Sequence, residues 1–234
     1  MNIAVIIPAA GIGKRMGSQG PKQYLNIGKK PIICHTLEQF SSFTELIIVV
    51  ESDRVEAVRA EIVEAFNFPQ TWQVIAGGKE RQHSVQNGLE QVSSSCELVL
   101  VHDGVRPFID KTLIDQVLML AAQKGAAIVA APMQDTVKQI NAAGEIIATK
   151  NRQELWRAQT PQAFQVEILK AAFAKAAADN FIGTDEASLV ERLGKTVAIV
   201  EGNDYNIKLT TPKDLAMAEF VLQNFSSGKH ENKG

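Results

Sequence analysis

An α/β fold built on a doubly wound, mostly parallel sheet is predicted by three features of this 234-residue chain. The first is a set of short apolar runs without alternation, Ile3-Ala4-Val5-Ile6-Ile7, Leu46-Ile47-Ile48-Val49-Val50 and Leu98-Val99-Leu100-Val101, the pattern of strands buried on both faces. The second is helical periodicity between those runs, giving connections long enough to return a parallel strand. The third is composition: with 45% hydrophobic and 21% charged residues, this length supports one large core. Residues 1–225 read as a single domain, and 226–234, small, polar and charged, as a flexible tail. Right-handed crossovers place any ligand crevice beyond the carboxyl ends of the strands.

The first strand runs into Pro8-Ala9-Ala10-Gly11-Ile12-Gly13-Lys14-Arg15-Met16, with Pro21-Lys22-Gln23 after it. Gly11 and Gly13 let backbone N–H groups approach a polyphosphate, and Lys14, Arg15 and Lys22 match its charge. The loop is not a Walker motif, because Pro8 stands where the leading glycine belongs and Arg15 follows Lys14 in place of Ser or Thr. It is not a dinucleotide fingerprint either, since Met16 replaces the third small residue and no strand-end acid follows at the required spacing. An ordinary glycine turn with solvated lysines is the competing reading.

Further along, residues 31–41 form a predicted helix with Ile32, Ile33, Leu37 and Phe40 inward, followed by the strand at 46–50. Asp53 is placed to cap a helix reaching about Phe66, followed by a short strand at 72–76, a helix at 80–92 and the buried strand Leu98–Val101. A helix at 112–123 and a strand at 126–131 complete the regular part. The pattern breaks between Met133 and Gln162, where Val137-Lys138-Gln139-Ile140, a turn at Asn141-Ala142-Ala143-Gly144 and Ile146-Ile147-Ala148-Thr149 predict a β-hairpin, a projecting arm at about 134–152. Isolated hairpins are marginal in water, so the arm is expected to pack against a second subunit rather than stand as a surface flap. Helices at Val166–Ala178 and 185–193, a strand at 195–200 and a helix at 212–224, entered through Thr211 and an N1 proline, close the chain.

Several function classes are excluded. A net charge of −2 without a basic run argues against nucleic acid. Cys34 and Cys96 form no CxxC pair and read as buried free thiols of a reducing compartment. The N-terminal apolar run is too short to span a bilayer and lacks a signal-peptide layout, so a cytoplasmic protein without membrane contact is expected. The four histidines lack ligand spacing for zinc, and no Gly-x-Ser-x-Gly elbow is present.

Other candidate residues collect at predicted strand ends. His102-Asp103-Gly104-Val105-Arg106-Pro107 leaves a buried strand at the same sheet edge as the first loop. Asp103 can hold a sugar hydroxyl or a metal-bound water, or simply cap a loop. Gly77-Gly78-Lys79-Glu80-Arg81-Gln82 joins a strand to a helix start, where amides can meet an anion or a base edge. Arg152, Thr160, Thr184 and Lys208 lie in further polar segments beside predicted elements; Lys208 also reads as a solvated lysine, and Thr184-Asp185-Glu186 as a plain helix start.

The blocks PAAGIGKRM with PKQYL, GGKERQHSV, VHDGVRPF, DTVK, LWRAQTPQAF, GTDEAS and NIKLT occur in this order. With them the sequence resembles the 2-C-methyl-D-erythritol 4-phosphate cytidylyltransferase family nearly end to end. The resemblance implies a Rossmann-like nucleotidyltransferase fold and a reaction of CTP with methylerythritol phosphate, using Mg²⁺, to give 4-diphosphocytidyl-methylerythritol and pyrophosphate for isoprenoid precursors. It implies a homodimer in which each subunit's arm embraces the other. Carried over by motif, Arg15 and Lys22 contact the triphosphate, with Lys208 a third cation near the α-phosphate. Ala9, Ala10, Gly11, Gly78, Lys79 and Ser84 surround cytidine. Asp103, Arg106, Thr136, Arg152, Thr160, Thr184 and Lys208 surround methylerythritol phosphate, Thr136 and Arg152 reaching across the dimer. The metal would be held mainly by the CTP phosphates, with Asp103 as a possible ligand.

The chemistry agrees with the residue types. A phosphate monoester is mostly dianionic at neutral pH and needs no general base to attack an α-phosphate. What it needs is in-line alignment and compensation of charge. Two other readings stay open at this point: a ribitol-5-phosphate cytidylyltransferase, and a non-catalytic nucleotide-binding module.

Overall fold

The computed structural model describes residues 1–11 and 20–225, so Lys14 and Arg15 of the glycine loop and the tail at 226–234 lie outside the described residues. Seven strands make one sheet in the order β11-β7-β10-β6-β1-β4-β5: β1 (Ile3–Pro8), β4 (Glu45–Val50), β5 (Gln73–Ala76), β6 (Leu98–Val101), β7 (Ala126–Pro132), β10 (Trp156–Gln165) and β11 (Ala198–Glu201). Every pairing is parallel except those of β10, which runs antiparallel to both β6 and β7.

The unbroken apolar runs are explained by helices on both faces. Successive strand residues point to opposite sides. Val5, Ile7, Leu46 and Ile48 therefore join Ile33 and Leu37 of α1 (Ile32–Glu38) and Ile114 and Val117 of α4 (Lys111–Lys124). Their neighbours Ala4, Ile6, Ile47 and Val49 join α3 (Arg81–Glu90), α5 (Val166–Ala178) and α6 (Glu186–Arg192) on the other side. The α4 helix starts where the Asp110 carboxylate accepts the Leu113 N–H at 2.8 Å, and stops at Gly125, whose φ of 91° a side chain would resist.

Three local expectations are revised. β10 was not expected, because Trp156-Arg157-Ala158-Gln159-Thr160-Pro161-Gln162 lacks alternation and contains proline, which demotes a central strand. The ladder accommodates it by a register shift between Ala158 and Gln162, and loops supply hydrogen bonds to its buried polar side chains. Asp53 caps no helix: it lies in a 3-10 turn, Ser52–Arg54, followed by a short α2 (Val55–Val58) and a π-helical segment, Arg59–Glu64. The strand expected at 195–200 begins only at Ala198, because Gly194 at φ 79° and the Lys195 N–H bonded to Val190 O terminate α6 first.

The hairpin is formed by β8 (Lys138–Ile140) and β9 (Ile146–Thr149), which pair with each other as a separate two-stranded sheet. Its Ile140, Ile146 and Ile147 are 58%, 63% and 56% exposed. A second small hairpin joins β2 (Asn26–Ile27) and β3 (Lys30–Pro31), and α7 (Pro212–Phe225) packs near it. Cys34 and Cys96 are buried free thiols, raised to about 12 and about 11 chiefly by burial. Among the described residues, no helix is long and apolar enough to cross a membrane.

Candidate active site

From β1 the chain winds outward to β4 and β5, then returns to lay β6 on the opposite side of β1. The reversal opens a crevice between the carboxyl ends of β1 and β6, the place where open α/β sheets bind ligands. A cleft of about 450 Å³ lies there, lined by Ala9, Ala10, Gly11, Lys22, Gly78, Lys79, Ser84, Asp103 and Lys208, together with Gln23, Glu80 and Arg81. A larger cavity, about 570 Å³, is bounded by Lys30, His35, Phe108, Lys111, Tyr205 and Leu222 and shares no lining residue with the cleft. The smaller space holds the clustered cations and the strand-end loops, which makes it the candidate site.

Backbone bonds fix the loop after β1: the Ala9 N–H donates to Val49 O at 2.7 Å, and Gln23 Nε2 donates to Ala9 O and, at 3.0 Å, to Glu51. The turn after β5 is packed beneath it. A Cβ built on Gly77 would fall 2.7 Å from the Ala10 Cβ and 2.8 Å from Ser84 Oγ, so only glycine fits. The Gly78 N–H donates to Ser84 Oγ at 3.1 Å, and that hydroxyl donates to Glu80 O at 3.2 Å. Ser84 therefore holds the shape of the turn from a buried position.

Asp103, 5% exposed, is the hub of the charged floor. Its Oδ2 meets Lys208 Nζ at 2.8 Å and Arg106 Nε at 3.7 Å, and its Oδ1 accepts from Arg81 Nε at 3.1 Å. Burial alone would raise this carboxyl, but Arg81, Lys208 and Arg106 outweigh it and hold the group well below the usual carboxylate range. Beneath it runs a chain of neutral hydrogen bonds. The Asp103 N–H donates to Thr160 Oγ1 at 3.1 Å, Thr160 lies 3.1 Å from His102 Nδ1, and His102 Nε2 lies 2.9 Å from Arg106 O. A carbonyl only accepts, so Nε2 carries the proton and Nδ1 accepts from Thr160. Burial lowers His102 to about 4, which keeps the ring neutral.

The expected site residues thus divide into groups. Ala9, Ala10, Gly11, Lys22, Gly78, Lys79, Ser84, Asp103 and Lys208 surround one cleft. Arg106 and Thr160 are buried behind it; Arg106 donates to Asn206 O at 2.7 Å, so both brace Asp103 from below. Thr184 is exposed just ahead of α6. Thr136 and Arg152 are exposed at the base of the hairpin, where Arg152 Nη1 donates to Gln134 O at 2.6 Å. Arg15 lies outside the described residues.

Sequence reasoning missed Arg81 and Glu186. Arg81 grips Glu186 with two parallel bonds, Nη1 to Oε1 at 2.7 Å and Nη2 to Oε2 at 3.0 Å, while also holding Asp103. Burial would lower Arg81, yet Glu186 and Asp103 more than offset it and keep the guanidinium charged. Burial raises Glu186, which is 1% exposed, so its charge depends on Arg81 beside it. A signal was available: an arginine as the first residue of a helix opposes the macrodipole and calls for acidic partners.

The family model for 2-C-methyl-D-erythritol 4-phosphate cytidylyltransferase matches residues 3–224. Proteins of that name from Alkaliphilus metalliredigens and Syntrophus aciditrophicus are each 45% identical, over 97% and 94% of this chain and 95% and 96% of their own length. Among solved structures, the 4-diphosphocytidyl-2C-methyl-D-erythritol synthase of Anaerococcus prevotii superposes with a TM-score of 0.84 at 32% identity, covering 95% of this chain and 98% of its own. The 2-C-methyl-D-erythritol 4-phosphate cytidylyltransferase of Thermus thermophilus gives 0.79 at 32%, covering 95% and 100%. With its sheet, crevice and cation cluster described, and its match running almost the full length of these relatives, the chain belongs to the 2-C-methyl-D-erythritol 4-phosphate cytidylyltransferase family.

Proposed function

We propose that this chain transfers the cytidylyl group of CTP to 2-C-methyl-D-erythritol 4-phosphate, releasing pyrophosphate and giving 4-diphosphocytidyl-2-C-methyl-D-erythritol for isoprenoid synthesis. The observation that carries the reading is the cleft at the strand reversal, where small residues after β1 face Asp103 and Lys208 after β6 and β11. An oxygen of the alcohol's phosphate attacks the α-phosphorus, and the bond from that phosphorus to the bridging oxygen of pyrophosphate breaks. No proton needs to be removed from the nucleophile, in keeping with a site whose buried histidine is neutral and engaged on both nitrogens.

Two anions must be held together while charge grows on the leaving group. Lys22, Lys208 and Arg15 are assigned to that task, Lys22 and Arg15 toward the triphosphate and Lys208 between the two phosphates. Ala9, Ala10, Gly11, Gly78 and Lys79 enclose the cytidine, with Ser84 fixing the turn. Asp103 orients Lys208 and meets the alcohol's hydroxyls. Thr184 from the same subunit, and Thr136 and Arg152 from a partner, close on the alcohol phosphate.

Magnesium is proposed to arrive on the triphosphate as part of the metal–nucleotide substrate, where it neutralises phosphate charge. Both Asp103 oxygens already face cations, so the carboxylate suits charge balance better than metal ligation. Among the described residues no group of three His, Cys, Asp or Glu side chains is arranged to hold a metal. A homodimer is supported by the exposed isoleucines of the hairpin, whose burial against a partner would be favourable. Cytoplasmic residence completes the proposal, supported by two buried reduced thiols.

The test is pyrophosphate release from CTP and methylerythritol phosphate by the wild type and by Lys22→Ala. Turnover in the wild type that falls at least about a hundredfold in a folded Lys22→Ala variant is expected, because one donor at a developing oxyanion is worth about 3 kcal/mol. Equal turnover in both would remove the reaction from this cleft.

A further inference from the structure

We propose that Arg81 is a positioning residue that fixes the alcohol-phosphate side of the site to the nucleotide side, an inference that rests on the cytidylyl-transfer reading above. The first two residues of α3 hold the segment 181–186 by four hydrogen bonds. Gln82 Oε1 accepts the Gly183 N–H at 2.8 Å, and Gln82 Nε2 donates to Phe181 O at 3.1 Å. Arg81 then clasps Glu186 through its two-pronged pair, at 2.7 and 3.0 Å. Thr184, the exposed residue assigned to the alcohol phosphate, lies between these anchors.

The same α3 start is continuous with the Gly77-Gly78 turn that lines the nucleotide pocket, and the Arg81 guanidinium extends over the cleft to Asp103. One planar side chain therefore spans two carboxylates that enter from different parts of the chain, Asp103 after β6 and Glu186 in the first turn of α6. The helix needs no help from Glu186 to start. Asp185 caps it by accepting the Ser188 N–H at 3.0 Å, and Gln162 accepts the Ala187 N–H at 3.0 Å. Glu186 is thus spare for the tie to Arg81. A lysine would keep the charge but offers no fork, so it cannot hold both carboxylates in one plane.

The consequence is a split between the two substrates. Loosening the tie displaces Thr184 from the alcohol phosphate while leaving the base pocket intact, and small misplacements of a positioning group cost rate steeply. Glu186→Gln is the primary variant, since it keeps the shape but removes the charge and turns one of the fork's two acceptor oxygens into a donor; Arg81→Lys is the second. Expected are a rise of about tenfold or more in KM for methylerythritol phosphate, CTP affinity by calorimetry within about twofold of wild type, and faster hydrogen exchange at Gly183 and Ser188. Equal weakening toward both substrates would make Arg81 a general structural support, and unchanged kinetics with unchanged exchange in a folded variant would overturn the tie. Should wild type fail to turn over methylerythritol phosphate, the functional reading fails, while the exchange and CTP measurements still decide whether Arg81 links the two segments.

Discussion

Lys208 Nζ stands 2.8 Å from Asp103 Oδ2, and that carboxylate is in turn gripped by Arg81 and Arg106, so the lysine's direction is set by a buried charge cluster. Lys208 remains 38% exposed and faces the cleft. Its replacement by Ala should leave folding nearly intact and lower turnover at least about a hundredfold. Asp103→Ala differs: it strips the carboxylate from a buried Arg106, with an expected loss near 3 kcal/mol, read by denaturant titration. Activity loss without stability loss for Lys208, and both for Asp103, is the expected pair of results.

The buried His102 gives stability a pH dependence. Its pKa is lowered from 6.5 to about 4, so the unfolded chain takes up this proton first as pH falls. The contribution is complete above pH 6.5 and is lost progressively toward pH 4, about 3 kcal/mol for a fully buried ring. His35, lowered by burial, acts in the same direction. Asp103, held low, adds its own loss only below the unfolded carboxylate value of 3.8. Unfolding free energies between pH 8 and 4.5 should show the slope, and His102→Gln should flatten it; an unchanged slope would assign it elsewhere.

Gly77→Ala places a methyl group 2.7 Å from the Ala10 Cβ and 2.8 Å from Ser84 Oγ, closer than such atoms approach. The two loops must part, costing about 1–3 kcal/mol and raising KM for CTP about tenfold or more. Calorimetric CTP affinity together with a melting curve separates this from simple unfolding.

The proposed partner contact is tested by mixing inactive Arg152→Ala and Lys22→Ala homodimers. If the hairpin reaches into the opposite site, exchange yields one competent site per heterodimer and activity returns. Confirmed exchange without recovery would place Arg152 in its own subunit's site.

Much of the fold could be read from the sequence because both-face burial leaves a plain signature: Ile3, Ile6 and Ile7, or Leu98 through Val101, are apolar without alternation. β10 could not, because its buried Gln159, Thr160 and Gln162 are satisfied by distant loops at Asn203, Asp103 and Asp185, and tertiary bonds of that kind leave no local pattern. The cleft was legible through strand-end position and glycine content. The Arg81–Glu186 pair spans 105 positions and depends on the fold bringing the first turns of α3 and α6 together, which no local spacing encodes. Arg106 and Thr160 were grouped with Asp103 around the alcohol phosphate by the family's motifs, whereas their burial behind it emerges only from packing.

The central claim is cytidylyl transfer to methylerythritol phosphate, and the most direct measurement is pyrophosphate release with CTP and either methylerythritol phosphate or ribitol 5-phosphate as acceptor. The account predicts a higher kcat/KM for methylerythritol phosphate, because a longer polyol held by Asp103 and Lys208 would present its phosphate out of line with the α-phosphorus. A higher value for ribitol phosphate, or no release with either, would contradict it.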